Sequence, residues 1–110
     1  MAVKEMELSK ISNPTRSAGA LYFEEIEVLD GITSDIFIIP IQRVYSICVN
    51  LAGTGSIEFS NDSYEKLEAG TADFKTWNGT DIINLGVIAF RVVSLTGTFT
   101  AKVAVKTATT

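Results

Sequence analysis

The sequence contains no histidine among its 110 residues. Histidine is the most frequent general base in enzymes and the commonest protein ligand of metal ions. Its absence excludes a Ser-His-Asp or Cys-His arrangement and every zinc site that depends on imidazole. Most hydrolase mechanisms are therefore excluded by composition alone.

The carboxylates and glycines do not replace this chemistry. The densest acidic group is Glu24, Glu25 and Glu27. On a strand, Glu25 and Glu27 share one face while Glu24 takes the other, which is typical of a solvated edge that discourages aggregation. The sequence has no calcium-loop spacing and no phosphate-binding glycine loop. We predict no catalytic residues, no cofactor site and no metal site, so the protein is not expected to be an enzyme.

Cysteine is nearly absent as well, since Cys48 is the single one. It cannot form a disulfide within the chain. Because it lies between Ile47 and Val49 in a strand-like run, we predict that it is a small buried hydrophobic residue and not a reactive thiol.

Positive charge and long apolar runs are also scarce. Nine Lys and Arg against thirteen Asp and Glu give a net charge of −4, which disfavours binding to nucleic acid. The longest uncharged run, Val44–Ile57, is interrupted by Asn50 and two glycines and is shorter than the roughly 20 residues that span a bilayer. The first twenty residues do not resemble a signal peptide. We therefore expect a soluble protein made in the cytoplasm, without membrane or nucleic-acid partners.

Hydrophobic residues make up 46% of the chain, which fits one domain with one core. Residues 1–20 show no sustained periodicity and are predicted to form an irregular N-terminal arm, with a short helix or edge strand over Val3–Leu8 as the alternative. Residues 21–106 are predicted to form the domain, and residues 107–110 a C-terminal tail.

Alternation of apolar and polar residues predicts an all-β fold of seven or eight short strands, a β-sandwich or a jelly-roll-like barrel. In Thr98–Lys106 the odd-numbered residues are apolar, as they are over most of Ile41–Leu51 and again at Ile57 and Phe59. Gly53-Thr54-Gly55 and Leu95-Thr96-Gly97 are predicted to be turns between strands. Ser63–Ala69, followed by Gly70, predicts the only helix in the second half.

The first half of the domain predicts further strands. The parity of the apolar residues changes within Leu21–Leu29, and a β-bulge at Glu24-Glu25 would account for it. Asp30-Gly31 is a strong turn signal, and Asp35–Ile39 is predicted to be a strand that Pro40 ends. Ala72–Trp77 predicts another short strand before an Asn78-Gly79 turn.

The run Ile82–Val93 is apolar at both even and odd positions, so neither face is obviously meant for solvent. We predict a homo-oligomer or a partner that covers one face of this strand. The candidate interface residues are Ile88, Phe90, Arg91 and Val92. Arg91 is expected to pair with a carboxylate or to reach across a subunit boundary. Two aromatic residues near loops, Tyr64 and Trp77, are weaker candidates for stacking on a sugar ring, although a lone Trp more often fills a core or its rim.

The second half, roughly Gly53–Lys106, resembles small all-β virion proteins of tailed bacteriophages. The pattern that carries the resemblance is Gly70-Thr71-Ala72, Trp77-Asn78, Val87-Ile88-Ala89-Phe90-Arg91-Val92-Val93 and Ser94-Leu95-Thr96-Gly97-Thr98. The resemblance implies a jelly-roll-like decoration, cement or staple protein. Such a protein is synthesised in the host cytoplasm, binds the major capsid protein on the outer surface of the shell and has no catalytic residues.

Two alternatives remain open at this point. A tail, baseplate or fibre module would share the strand pattern but occur in few copies per particle. A carbohydrate-binding β-sandwich would use Trp77 or Tyr64.

Overall fold

A computed structural model of the chain describes residues 2–7, 21–39, 44–77 and 89–107. Within these ranges the fold is all-β with one short helix, as the alternation of residues predicts. The elements are β1 (Val3–Glu5), β2 (Leu21–Val28), β3 (Ile36–Ile38), β4 (Val44–Ser60), α1 (Tyr64–Ala69), β5 (Lys75–Thr76) and β6 (Ala89–Thr107). In the part of the chain so described, no helix is long and apolar enough to cross a membrane.

The strands of the described residues belong to one sheet, in the order β1-β3-β6-β4-β5, with β2 also paired to β6. β6 lies at its centre and runs antiparallel to β4 over almost its whole length. Along its other edge, β6 pairs with β3 near its start and with β2 near its end. β1 extends the sheet by parallel pairing with β3. The described residues therefore do not confirm the separate second sheet of a sandwich.

The two glycine-rich turns predicted within the long strands are not turns. β4 continues through Gly53-Thr54-Gly55, and β6 continues through Leu95-Thr96-Gly97. Where these segments meet, the register shifts twice, so that β6 carries extra residues opposite β4. The segments form a bulged stretch of one long strand pair, which bends and twists the sheet without ending it. The hairpin predicted between Ile41–Leu51 and Ile57–Phe59 is therefore wrong.

The bulge explains how β6 changes the parity of its buried residues. Leu51 faces Ala101 on one side of the bulge, and Ile57 faces Val92 on the other. On β4 the residues that face the core are odd-numbered on both sides of the bulge. On β6 they are even-numbered before the bulge and odd-numbered after it, because the register shifts by an odd number of residues. Side chains on consecutive strand residues point to opposite faces, so an odd shift is needed to keep the same face inward.

One main core gathers buried residues from β2, β3, β4 and β6. Phe90 is fully buried and stacks on Phe37 with ring centroids 5.4 Å apart, while Phe59 lies at 6.2 Å. The predicted inward positions of the final strand and of the segment before α1 are confirmed. The buried residues of this core are Met6, Ile26, Val28, Phe37, Ile39, Ile57, Phe59, Phe90, Val92, Phe99, Ala101, Val103 and Val105.

The opposite face of β6 near its start is covered by the chain itself. Ala89 packs in a second cluster with Ile36 and Leu67, and Leu67 is the buried residue of α1. As predicted, α1 ends at Gly70, which adopts the left-handed conformation, and Ser63 caps its start by accepting a hydrogen bond from the backbone of Lys66. The described part of the doubly apolar run is thus apolar on both faces because it lies between a core and a helix.

Three further expectations differ from the structure. β2 keeps a continuous register with β6, so no bulge occurs at Glu24-Glu25; instead Phe23 simply faces outward. Cys48 is exposed, because it has the even, outward parity of Asn50 on β4. The first residues are not wholly irregular, since β1 is an edge strand and Met6 is buried in the core.

The predicted Asp30-Gly31 turn is confirmed, and the strand expected over Asp35–Ile39 is present as β3. The strand expected over Ala72–Trp77 is present as the shorter β5. The Asn78-Gly79 turn and the run 82–88 lie outside the described residues, as do residues 8–20.

Candidate functional site

Three large aliphatic side chains are exposed at one end of the sheet. Leu29 is 63% exposed, Ile32 51% and Leu95 65%. Large exposed apolar residues that occur near one another, unlike scattered ones, mark interaction surfaces. Leu29 and Ile32 flank the Asp30-Gly31 turn, in which the Ile32 N–H donates to the Leu29 carbonyl at 3.0 Å. Gly31 has φ of 72°, a conformation that glycine adopts without strain. We call Leu29, Ile32 and Leu95 the apolar tip.

Hydrogen bonds join the two segments that form the apolar tip. The Ser94 N–H donates to the Ile32 carbonyl at 3.0 Å, and the Gly97 N–H donates to Oδ1 of Asp30 at 2.7 Å. The buried Ser94 hydroxyl donates to the Gly97 carbonyl within the β6 bulge. The bulge that carries Leu95 is therefore held against the turn segment that carries Leu29 and Ile32.

The segment after the turn is bonded along β6 as well. The Ser34 N–H donates to the Val92 carbonyl at 2.8 Å, and the Ser34 hydroxyl accepts from the Val92 N–H at 2.9 Å. Thr33 forms a bridge with Val93. These bonds attach the turn segment to a part of β6 that includes the buried Val92 and Ser94, which favours a preformed surface over one that orders on contact.

The bulge segment Ser94–Thr98 beside the turn carries no charged side chain. Thr54 pairs with Thr96 across the bulge, and both are exposed, as is Thr98. Asp30 is the nearest acidic residue along the chain, and its carboxylate accepts the Gly97 N–H. An aliphatic patch bordered by threonine and glycine suits contact with another protein surface, where hydroxyl and backbone groups form a polar rim.

The patch is small. Three partly exposed side chains of this size offer on the order of 300 Å², the usual size of the largest apolar patch on a monomer. A stable protein interface covers about 800 Å² on each partner. A single tip would therefore bind weakly, and tight attachment would need many tips acting together.

The predicted interface on β6 is not available to a partner at two of its residues. Phe90 and Val92 are completely buried in the core of their own chain, so the prediction is wrong for them. Ile88 lies outside the described residues. Arg91 is half-buried; its Nε donates to Oε1 of Glu58 at 2.7 Å, and its guanidinium lies 4.0 Å from the centre of the Phe74 ring. The expected carboxylate partner of Arg91 is thus within the chain.

The two aromatic ligand candidates lie in different places. Tyr64 is exposed on α1, and its hydroxyl donates to Oε2 of Glu68 at 3.2 Å, which raises the pKa of Tyr64. Trp77 is partly buried and packs against the main core. Trp77 is therefore a rim residue of the core, as the favoured interpretation of the sequence has it.

A second polar feature holds β1 in place. Nζ of Lys4 lies 2.9 Å from Oδ2 of Asp35, and the Ala2 N–H donates to Oδ1 of the same carboxylate at 3.1 Å. The hydrogen bond with Asp35 raises the pKa of Lys4, and the bonds from Lys4 and Ala2 lower the pKa of Asp35. Both side chains are solvent-accessible, so the pair serves to position the edge strand.

Other features in the described ranges do not point to a ligand. A cavity of about 150 Å³ is lined by Glu5, Met6, Tyr22 and Ile38, below the roughly 300–1,000 Å³ usual for small-molecule sites. No group of three or more His, Cys, Asp or Glu side chains is placed there to hold a metal ion.

Sequence reasoning missed Leu29, Ile32 and Leu95. The signal that could have found them is a large aliphatic residue directly beside a turn signal, Asp30-Gly31 or Thr96-Gly97, where polar residues are more usual. Leu29 was instead assigned to the end of a strand and Leu95 to a turn, and Ile32 was given no role.

Comparisons with protein-family models, with curated proteins and with solved structures find no match to this chain.

Proposed function

We propose that this protein is a non-enzymatic virion structural protein, a capsid decoration protein that attaches to the shell of a tailed phage through the apolar tip. The observation that carries the proposal is the exposure of Leu29, Ile32 and Leu95 on a hydrogen-bonded support. The loose resemblance of the second half to virion proteins supplies the class of partner, the major capsid protein.

The size of the tip fits attachment to a repeated lattice better than a single tight contact. A patch on the order of 300 Å² gives weak binding by itself. On a shell with many identical sites, an oligomer with several tips would bind with an avidity far above that of one tip. The mechanism is therefore adhesive, and it needs no catalytic residue.

The first test is quantitative mass spectrometry of gradient-purified virus particles from the source culture. Hundreds of copies in a fixed ratio to the most abundant capsid protein are the expected result. A handful of copies per particle would replace decoration with a tail, baseplate or fibre position. Absence from particles would overturn the proposal.

The second test addresses the tip. Particles that lack this chain are incubated with purified protein, and the bound fraction is measured after sedimentation. Leu95→Ser and Ile32→Ser are expected to reduce the apparent affinity about tenfold or more, as central apolar contacts do. Tyr64→Ser is the matched control, because Tyr64 is exposed to a similar degree but lies on α1. Equal binding of tip and control variants would contradict the role of the tip.

A further inference from the structure

The outward face of the sheet formed by β2, β6 and β4 carries opposite charges on neighbouring strands. The pairing of β2 with β6 places Glu25 opposite Lys102, and Asn50 of β4 lies opposite Lys102 on the other side. Glu27 follows on β2, so this strand presents two exposed carboxylates beside β6, which carries the exposed Lys102 and, further along, Lys106. We call this surface, formed by Phe23, Glu25, Glu27, Thr100, Lys102, Ala104, Cys48, Asn50 and Ala52, the outer face.

An apolar row crosses the outer face next to the charged one. Phe23, which is 39% exposed, lies opposite Ala104, and Ala104 lies opposite the exposed Cys48. A large ring beside a methyl group forms a projection next to a shallow space. If two copies stack face to face with β2 of one over β6 of the other, the Phe23 ring of each copy covers Ala104 of the other.

We propose that the outer face binds a second copy of this chain, with the twofold axis parallel to the strands and between β2 and β6. This axis places β2 of each copy over β6 of the other, so that Glu25 faces Lys102 and Phe23 faces Ala104 in both directions. A twofold axis across the strands would instead place β2 over β2 and bring the carboxylates of the two copies together. Charge therefore selects one of the two face-to-face arrangements.

The charged groups on this face are available for such a contact. Neither Glu25 nor Lys102 has an ion pair within the described residues, although they lie opposite each other on adjacent strands. An oppositely charged residue from a second copy gives each of them a partner.

The arrangement places both apolar tips at the same end of the dimer. The tip follows directly after Val28, the last residue of β2, and rotation about an axis parallel to the strands keeps that end in place. Dimer formation itself does not depend on the proposed function. If that function is correct, the dimer presents two tips in one direction and binds a lattice bivalently.

We expect a weak dimer. Two overlapping strands on each copy cover on the order of 400 Å², about half of a standard interface on one partner. Sedimentation equilibrium of the full chain, from about 10 µM to about 1 mM, should show a reversible dimer that weakens when the salt concentration rises from about 20 mM to about 0.5 M.

Charge reversal tests the axis. Lys102→Glu and Glu25→Lys should each weaken the dimer about tenfold or more, and the double variant should recover affinity because both contacts are restored in swapped form. Lys75→Glu and Glu65→Lys are matched controls, since they change the net charge equally at exposed positions away from the outer face. Phe23→Ser should weaken the dimer, and Tyr64→Ser should not.

Three outcomes would overturn the proposal. The chain could be a monomer over the whole concentration range, the dimer affinity could be unchanged by both charge reversals, or the double variant could dimerise as weakly as the single variants. Circular dichroism confirms that each variant is folded. Because the measurement uses purified protein without particles, failure of the dimer is separate from failure of the decoration proposal.

Discussion

Gly55 lies where β4 closely approaches β6 at the bulge. A Cβ placed on Gly55 would lie 2.6 Å from Cγ of Phe99 and would also contact the Val93 carbonyl oxygen. Both neighbours belong to the central strand, and Phe99 is 1% exposed, so neither can move without disturbing the core. Glycine is required here by space, and not by a left-handed backbone.

We therefore predict that Gly55→Ala lowers the free energy of unfolding by about 3 kcal/mol, at the upper end of overpacking costs. Gly31→Ala is the control, because a Cβ at Gly31 meets nothing within 4 Å and only the positive φ is unfavourable. Gly31→Ala should lower the free energy of unfolding by about 1–2 kcal/mol. Urea unfolding of both variants checks the difference. Equal losses would show that the close approach at Gly55 does not constrain the fold.

At the scale of elements, α1 acts as a cover for the second face of the sheet. A helix of six residues has too few hydrogen bonds to be stable alone, so α1 depends on its caps and on the burial of Leu67. This cover explains why the strand beneath is apolar on both sides. A partner is not needed for the described part of that strand.

Leu67→Ala is predicted to lower the free energy of unfolding by about 2–4 kcal/mol, since it opens a cavity against Ile36 and Ala89. Ser63→Ala removes only the capping hydrogen bond and should cost about 1 kcal/mol. Denaturant titration separates the two values. If Leu67→Ala lowers the free energy of unfolding by less than Ser63→Ala does, packing on the sheet contributes little to the stability of α1.

The edge strand β1 is predicted to detach in acid before the rest of the sheet. The pKa of Asp35 is lowered in the folded protein. Its contribution to the stability of the attached β1 is therefore present above about pH 4 and is lost as pH falls through the lower pKa of the folded state. The pKa of Lys4 is raised in the folded protein. Its contribution to the stability of the attached β1 is therefore present below about pH 10 and is lost as pH rises through the pKa of the folded state.

Amide hydrogen exchange measured by NMR checks this prediction. The amides of Met6 and Ile36, which donate to Ile38 and Ala2, should lose protection in acid while β4 and β6 remain protected. In Asp35→Asn the same amides should be less protected at neutral pH and show no acid transition. An acid transition of equal size in this variant would assign the effect to other groups.

At the scale of the whole molecule, the fold depends on one pairing between distant parts of the chain. β4 and β6 pair from Val44 with Thr107 to Ser60 with Ala89, so the residues that pair lie far apart in sequence along most of the strand length. Loop closure must precede most of the stabilising contacts.

We predict folding in milliseconds to seconds, as for other domains dominated by non-local strand pairs. Stopped-flow fluorescence of Trp77, the single tryptophan, reports this step because the ring packs against the core. Complete recovery of the signal within the first fraction of a millisecond would contradict the prediction.

The sequence by itself determined the features that depend only on neighbouring residues. The alternation of Phe99, Ala101, Val103 and Val105 predicted their burial, and Ser63 and Gly70 predicted the ends of α1, because side-chain parity and helix caps depend on neighbouring residues only. Composition acted in the same way: a chain without histidine has no imidazole to serve as a general base or a metal ligand, whatever its fold.

Tertiary structure alone decided the rest. Gly53-Thr54-Gly55 is equally compatible with a hairpin turn and with a continuous strand, and only the pairing of β4 with β6 made it the strand segment opposite the β6 bulge. A residue's burial depends on which element covers it, so Phe90 became core and Leu95 became surface although both are large and apolar. The apolar tip exists because a turn and a bulge far apart in sequence are joined by hydrogen bonds, which no local pattern encodes.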